Sequence, residues 1–377
     1  MSDDVRQAMN AAKREPLDAL TGLRFFAAAW VVLYHYAGAA LPAGTPSALR
    51  NVVSHGYVGV NFFYLLSGFI LAYNYVQRSP SAVAMRGTAR AFWWNRFSRI
   101  FPMYLVAWAA AAPFVVAHRF ATDASPVVRA LKLAAAAFVS LGLVQAWIPG
   151  ATAWWNPPGW SISVEAFFYA IFPWVLPRLL NSKRSRLGLA LAAWLGSLVV
   201  PSLYVWSGSG ELALAAVKYG PLFHLPTFVL GIVLAELFES PSRSRLVRAR
   251  LVLGGLGVSA IVLVVTRPLG SSYPLIHNGL LSPAFGAVIL AVALGAPSLV
   301  RVLSAPVLVR LGEASFGLYI LQAPLWLTWR KSVEGLPPSV DFALFFVVLC
   351  SVSMVAHRLI ELPLQRRLRA TSSRNAG

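Results

Sequence analysis

The chain has 377 residues, of which 58% are hydrophobic and 12% charged. A soluble domain carries about 25% charged residues, so with a mean hydropathy of +0.66 the chain reads as a polytopic membrane protein. The net charge of +19 does not point to nucleic acid, because the arginines sit in short segments between apolar runs, and the single cysteine, Cys350, excludes an intramolecular disulfide and a Cys-rich metal site.

Residues 1–16 are polar and mixed in charge, with no apolar core. They read as a cytoplasmic tail and not as a signal peptide. Apolar runs follow at 20–41, 56–76, 97–117, 131–148, 160–180, 187–206, 219–237, 251–266, 279–296, 307–329 and 342–360. The expected fold class is therefore all-α, a single membrane helix bundle over 17–365 with a basic cytoplasmic tail at 366–377. Arg24 and His35 lie in the first run, eleven residues apart. On a helix they share one face, separated by about 16 Å along the axis. Ionisable residues inside a span are costly and usually face a bundle interior.

Charge between the runs sets the orientation. The segment holding Arg78, Arg86, Arg90, Arg96 and Arg99 is expected in the cytoplasm, as are 178–186, 243–250 and the tail with Arg366, Arg367, Arg369 and Arg374. Loops 207–218 and 268–278 carry little charge and belong outside. Both termini then lie inside. Between Arg99 and Arg178 the chain must cross an even number of times, yet three runs lie there. One of them is broken, re-entrant or interfacial, which leaves about ten full spans. The segment Trp154-Trp-Asn-Pro-Pro-Gly-Trp160 is the expected irregular piece, because its prolines do not fit a regular helix and its tryptophans suit a membrane interface.

Six histidines are present. His55, His118 and His277 fall at run edges or in loops and read as solvated or interfacial. His224, beside a Leu-Pro step, is a cavity-lining candidate, and His357 forms an interfacial cluster with Arg358 and Glu361. No spacing suits a metal site, and there is neither a Gly-x-Ser-x-Gly elbow nor a phosphate-cradling glycine loop. His35 is deep in a span, where it is either a packing residue or a general base. Glu165 sits just inside an apolar run and needs a partner. It either snorkels outward or orients His35. Arg96 and Arg99 form an Arg-x-x-Arg, either positive-inside flanking or a cytoplasmic phosphate clamp that Arg24 joins. The pattern suits an anionic donor entering from the cytoplasm and an acceptor on the other side.

Six stretches, in order, carry a resemblance. They are Leu17-Asp-Ala-Leu-Thr-Gly-Leu-Arg24 with His35 beyond it; Gly56-Tyr-Val-Gly-Val-Asn-Phe-Phe-Tyr-Leu-Leu-Ser-Gly-Phe69; Asn95-Arg-Phe-Ser-Arg-Ile-Phe-Pro-Met-Tyr104; Pro158-Gly-Trp-Ser-Ile-Ser-Val-Glu-Ala-Phe-Phe-Tyr169; Leu311-Gly-Glu-Ala-Ser-Phe-Gly-Leu-Tyr-Ile-Leu321; and Glu361-Leu-Pro363. Over nearly its whole length the chain resembles the acyltransferase-3 family of bacterial integral-membrane O-acyltransferases. The resemblance implies transfer of an acyl group, acetyl foremost, from cytoplasmic acyl-coenzyme A to a sugar hydroxyl, with acyl-CoA as co-substrate and no tightly bound cofactor. Arg24 and His35 match the family's Arg/His pair and Arg96 and Arg99 its Arg-x-x-Arg; with the reading of Glu165 above, His35 and Glu165 are the expected catalytic residues, and Arg24, Arg96 and Arg99 the expected donor-binding ones. The family's motifs add Asp18, Asn61, Ser67, Trp160, Ser163 and Tyr169 as site-lining candidates. The sequence departs from the family at Thr21, where many members have arginine, and at Gln322, where many have histidine. Many members also carry a fused extracytoplasmic domain, and none is expected after Gly377 here. The membrane part alone is then expected to complete transfer.

The expected acceptor is an exopolysaccharide, another surface glycan or its lipid-linked precursor, in the bacterial inner membrane. A small glycosylated metabolite such as a macrolide is the second acceptor class. A transporter of a lipid-linked sugar is the competing reading from outside enzymology, since intramembrane Arg, His and Glu serve transport too.

Overall fold

The computed structural model describes residues 17–374 apart from 80, 81, 124, 183, 209, 269 and 271. The expected N-terminal tail, and the last three residues of the C-terminal one, lie outside the described residues. Among the described residues regular structure is helical except for one hairpin, β1 (Val76–Arg78) paired antiparallel with β2 (Val83–Met85). The helices that build the interior are α1 (Asp18–Tyr36), α2 (Gly59–Tyr75), α3 (Ala89–Thr122), α4 (Pro126–Leu141), α5 (Gly159–Leu180), α6 (Pro221–Phe238), α7 (Ser315–Ser332) and α8 (Pro338–Ala356).

Among the described residues, eight helical segments are long and apolar enough to cross a membrane: Ser47–Tyr75, Ala89–Thr122, Gly159–Leu180, Arg186–Ser207, Glu211–Phe238, Arg243–Val265, Tyr273–Ala293 and Pro338–Ala370. The sequence count of about ten adds α1 and α7. These two helices are made less apolar by polar residues, Arg24 and His35 in one, Gln322 and the last-turn Arg330 and Lys331 in the other. Helix α4 has 16 residues, about 24 Å, and falls short of a hydrocarbon core of about 30 Å. The irregular stretch is longer than the expected one. It covers 142–158, and α5 starts at Gly159. The chain turns there on Leu143 and Gly150, both left-handed (φ 54° and 86°). Such a φ is unusual for leucine. Ser163 Oγ donates to the Leu143 carbonyl at 2.6 Å and accepts from the Ala146 N–H at 3.2 Å, which pins the turn to α5.

With no hydrophobic drive between helices in lipid, packing relies on small residues. A Cβ on Gly68 of α2 would lie 2.1 Å from the Phe228 carbonyl oxygen, and one on Gly231 of α6 would lie 2.1 Å from that of Leu65. The two helices therefore touch backbone to backbone. Gly22 of α1 meets Leu303, and Gly312 meets Thr21, in the same way. At one end of the bundle Arg78 donates to Glu236 and Glu239 at 2.6 Å each, and Arg186 to Glu236 at 2.7 Å. Asn181 bonds both the N–H and the carbonyl of Val83. These contacts gather β1, β2 and the ends of α5 and α6 on a single arginine-rich face.

Candidate functional site

A cavity of about 160 Å³ opens between α1, α2, α3, α5 and α7. Arg24, Ser67, Arg96, Arg99, Glu165 and Tyr169 line it, so helices distant in sequence bring six of the expected residues together. Glu165 Oε1 accepts from Ser67 Oγ at 3.1 Å and from the Tyr169 hydroxyl. Tyr169 is one turn further along α5, and Ser67 faces it across α2. Arg24 lies in the field of Glu165 and Glu361 and is repelled by Arg99.

The two arginines of the Arg-x-x-Arg differ. Arg99 Nη1 donates to Glu361, a carboxylate with no exposure at all. The other oxygen of Glu361 meets His357 Nδ1 at 2.8 Å. Residues His357–Glu361 form a π-helical turn after α8, and both side chains of this pair are buried. Wide turns of this kind recur at functional sites. Arg96, one helical turn below, has no carboxylate partner among the described residues. Its guanidinium lies 5.7 Å from the Tyr75 ring, 6.0 Å from Phe92 and 5.9 Å from Tyr169, a cation–π setting, and its Nε has no hydrogen-bond partner.

His35 stands apart from this cavity, exposed near the opposite end of α1. Among the described residues nothing joins it to Glu165, so the geometry does not bring together the expected base and orienter. Glu165 is taken up by Ser67 and Tyr169, on the arginine side. His35 bonds its own helix instead: its Nδ1 lies 2.9 Å from the carbonyl of Val31, four residues back. A carbonyl only accepts, so the Nδ1 proton is placed there and the neutral ring keeps a lone pair on Nε2. The rings of Tyr34 and Tyr36 flank the imidazole at 4.9 and 5.7 Å. The remaining neighbour is Gln322, the late-motif position that departs from the family. Its amide is anchored to the Tyr319 carbonyl at 2.7 Å. Between the two regions, Ser161 Oγ and the Tyr319 hydroxyl are 2.8 Å apart at the cavity's end.

The other lining candidates scatter. Asn61 donates to the carbonyls of Ile276 and His277 and acts as a helix clamp. Ser163 pins the 142–158 turn. Asp18 is exposed at the start of α1 and does not line the cavity. Trp160 joins a separate aromatic cluster. Two histidine expectations are corrected as well. His55 and His277 are buried, because 273–277 folds inward against α2. His224 is buried too, and His118 is exposed. The interfacial cluster expected of His357, Arg358 and Glu361 is corrected too: His357 and Glu361 are buried and paired, Arg358 is exposed, and Arg99 is the partner that sequence reasoning missed.

Fold and site thus define a polytopic helix bundle with a charge-lined cavity among its helices. The family of the acyltransferase domain matches residues 17–358, and the chain belongs to it. The chain is 32% identical over 239 residues to acyltransferase MdmB of Streptomyces mycarofaciens, covering 59% of this chain and 58% of that one. It is 23% identical over 374 residues to O-acetyltransferase OatA of Staphylococcus aureus, covering 93% of this chain and 57% of that one. The chain spans just over half the length of these relatives. No solved structure matches it.

Proposed function

We propose that the protein is an inner-membrane O-acyltransferase that moves an acetyl or similar acyl group from cytoplasmic acyl-CoA to a sugar hydroxyl of a surface glycan or its lipid-linked precursor. The observation that carries this reading is the make-up of α1. It places Arg24 in the arginine cavity and His35, with a lone pair left on Nε2, about three helical turns away. An extended donor held by its phosphates at Arg24 and Arg96 reaches along that helix toward His35. Arg96 suits phosphate because no protein carboxylate competes for it. His35 Nε2 takes the hydroxyl proton as the sugar oxygen attacks the thioester carbonyl. The C–O bond forms, the C–S bond breaks, and the proton passes from imidazolium to the departing thiolate. Family membership and the names of the relatives support acyl transfer over transport.

Incubation of the purified chain with radiolabelled acetyl-CoA and surface glycan tests the reading. Label is expected in alkali-labile ester on sugar. Label in a small glycoside but never in polysaccharide or its lipid-linked unit would move the acceptor to the second class. Absence of transfer to any hydroxyl, with solute uptake in liposomes, would replace the enzyme by a transporter.

A further inference from the structure

At the end of the bundle away from the arginines, a second group of side chains converges on His277. Its ring lies 5.5 Å from Tyr57, 5.7 Å from Trp160, 5.7 Å from Tyr273, 5.9 Å from Tyr219 and 5.9 Å from His224. Tyr34, next to His35, touches Tyr57 at 5.3 Å. The cluster is thus contiguous with the surroundings of the exposed histidine. Trp160, Tyr219 and Tyr273 are half-buried, whereas His277, His224 and Tyr57 are buried at 6%, 0% and 5% exposure.

Packing alone accounts poorly for these groups. Buried polar atoms are nearly always hydrogen-bonded. Here His277 Nδ1, His224 Nδ1 and the Tyr57 hydroxyl all lack a protein partner. Beside them Lys218 Nζ sits 5.0 Å from the ring of Tyr219 and 4.9 Å from that of Tyr273, with no carboxylate partner among the described residues. Flat rings, unmatched donors and acceptors, and one cation without a carboxylate partner suit a particular ligand. Its body is a ring with an apolar face and a rim of hydroxyls, each of which donates and accepts, and it carries a negative charge.

We infer that this cluster is the acceptor subsite, binding a pyranose ring against the half-buried Trp160 with an anionic substituent at Lys218. The assignment rests on the acyltransferase reading only for the word acceptor. Sugar binding itself needs no donor.

Saturation-transfer NMR on the full chain in detergent, without acyl-CoA, tests it with methyl glucuronide and methyl glucoside. The glucuronide is expected to bind about fivefold more tightly at low salt, and Lys218→Gln is expected to erase that preference. Trp160→Leu is expected to weaken both by about tenfold. Lys218 is half-exposed, so its variant folds as the parent does; an unchanged melting profile verifies this for both variants. Failure of both glycosides to bind, or binding indifferent to Trp160→Leu, would overturn the subsite. Equal binding of the two glycosides would overturn its anionic half. Trp160-dependent binding in a protein that never transfers acyl groups would instead overturn the transferase reading alone. Transfer with an acceptor KM unaffected by Trp160→Leu would overturn the subsite alone.

Discussion

At the arginine end of the bundle the buried carboxylates have partners: Glu165 holds Ser67 and Tyr169, and Glu361 holds Arg99 and His357. At the opposite end, beside the Lys218 ammonium, the unmatched atoms belong to imidazoles and a phenol, His55 Nε2, His224 Nδ1, His277 Nδ1 and the Tyr57 hydroxyl among them. The contrast follows from electrostatics. An unpaired buried charge costs several kcal/mol, so carboxylates are wired to cations as the bundle packs. A neutral polar atom left without a partner costs about 1–3 kcal/mol, which a fold tolerates where a ligand will supply the bond. One end is therefore a finished ionic network with Arg96 to spare, and the other an unfinished hydrogen-bonding surface.

The largest expected effect separates the two ends by kinetics. His35→Ala should lower kcat by about 10²–10⁴ with membrane abundance unchanged. Glu165→Gln, on the arginine side, should mainly raise the donor KM. A loss in kcat alone for Glu165→Gln would restore the base–orienter pair that the geometry does not show. The network itself is broken by Glu361→Ala, which leaves Arg99 without its carboxylate. A loss of about 3–5 kcal/mol is expected, read as a lowered unfolding midpoint in detergent. Arg78→Gln breaks two ion pairs of a half-exposed arginine, to Glu236 and Glu239, and should cost no more than about 1 kcal/mol for each. Equal losses in the two variants would remove the distinction between buried and surface wiring.

The wall common to both ends is tested by Gly231→Ala. Its Cβ would press on the Leu65 carbonyl, and overpacking of that kind costs about 1–3 kcal/mol, again visible in the unfolding midpoint. Smallest in stability terms is Arg96→Lys. It should raise the donor KM by about tenfold, the equivalent of 1.4 kcal/mol, with no change in melting, because no carboxylate depends on Arg96. Arg99→Lys should change both. Donor kinetics unchanged in Arg96→Lys would reduce Arg96 to a topology signal.

Hydropathy and charge are sums over neighbouring residues, so the sequence alone determined the membrane class, the helical runs, and the break between Arg99 and Arg178. The helical period also put Arg24 and His35 on one face, since 100° per residue is a local rule. Glu165 was legible as an anomaly for the same reason: a lone carboxylate in an apolar run. Its partner was not legible, because Ser67 lies 98 residues away, and Glu361 lies 262 residues from Arg99. Which helices approach closely depends on Gly68 against Phe228 and Gly231 against Leu65, contacts that no local pattern encodes. The tertiary structure therefore decided that Glu165 bonds Ser67 and Tyr169 and leaves the imidazole of His35 to the local carbonyl of Val31. It also drew His277 out of an expected loop into a buried ring of aromatics, because inward folding of 273–277 buries apolar surface only once α2 and α5 stand in place to receive it.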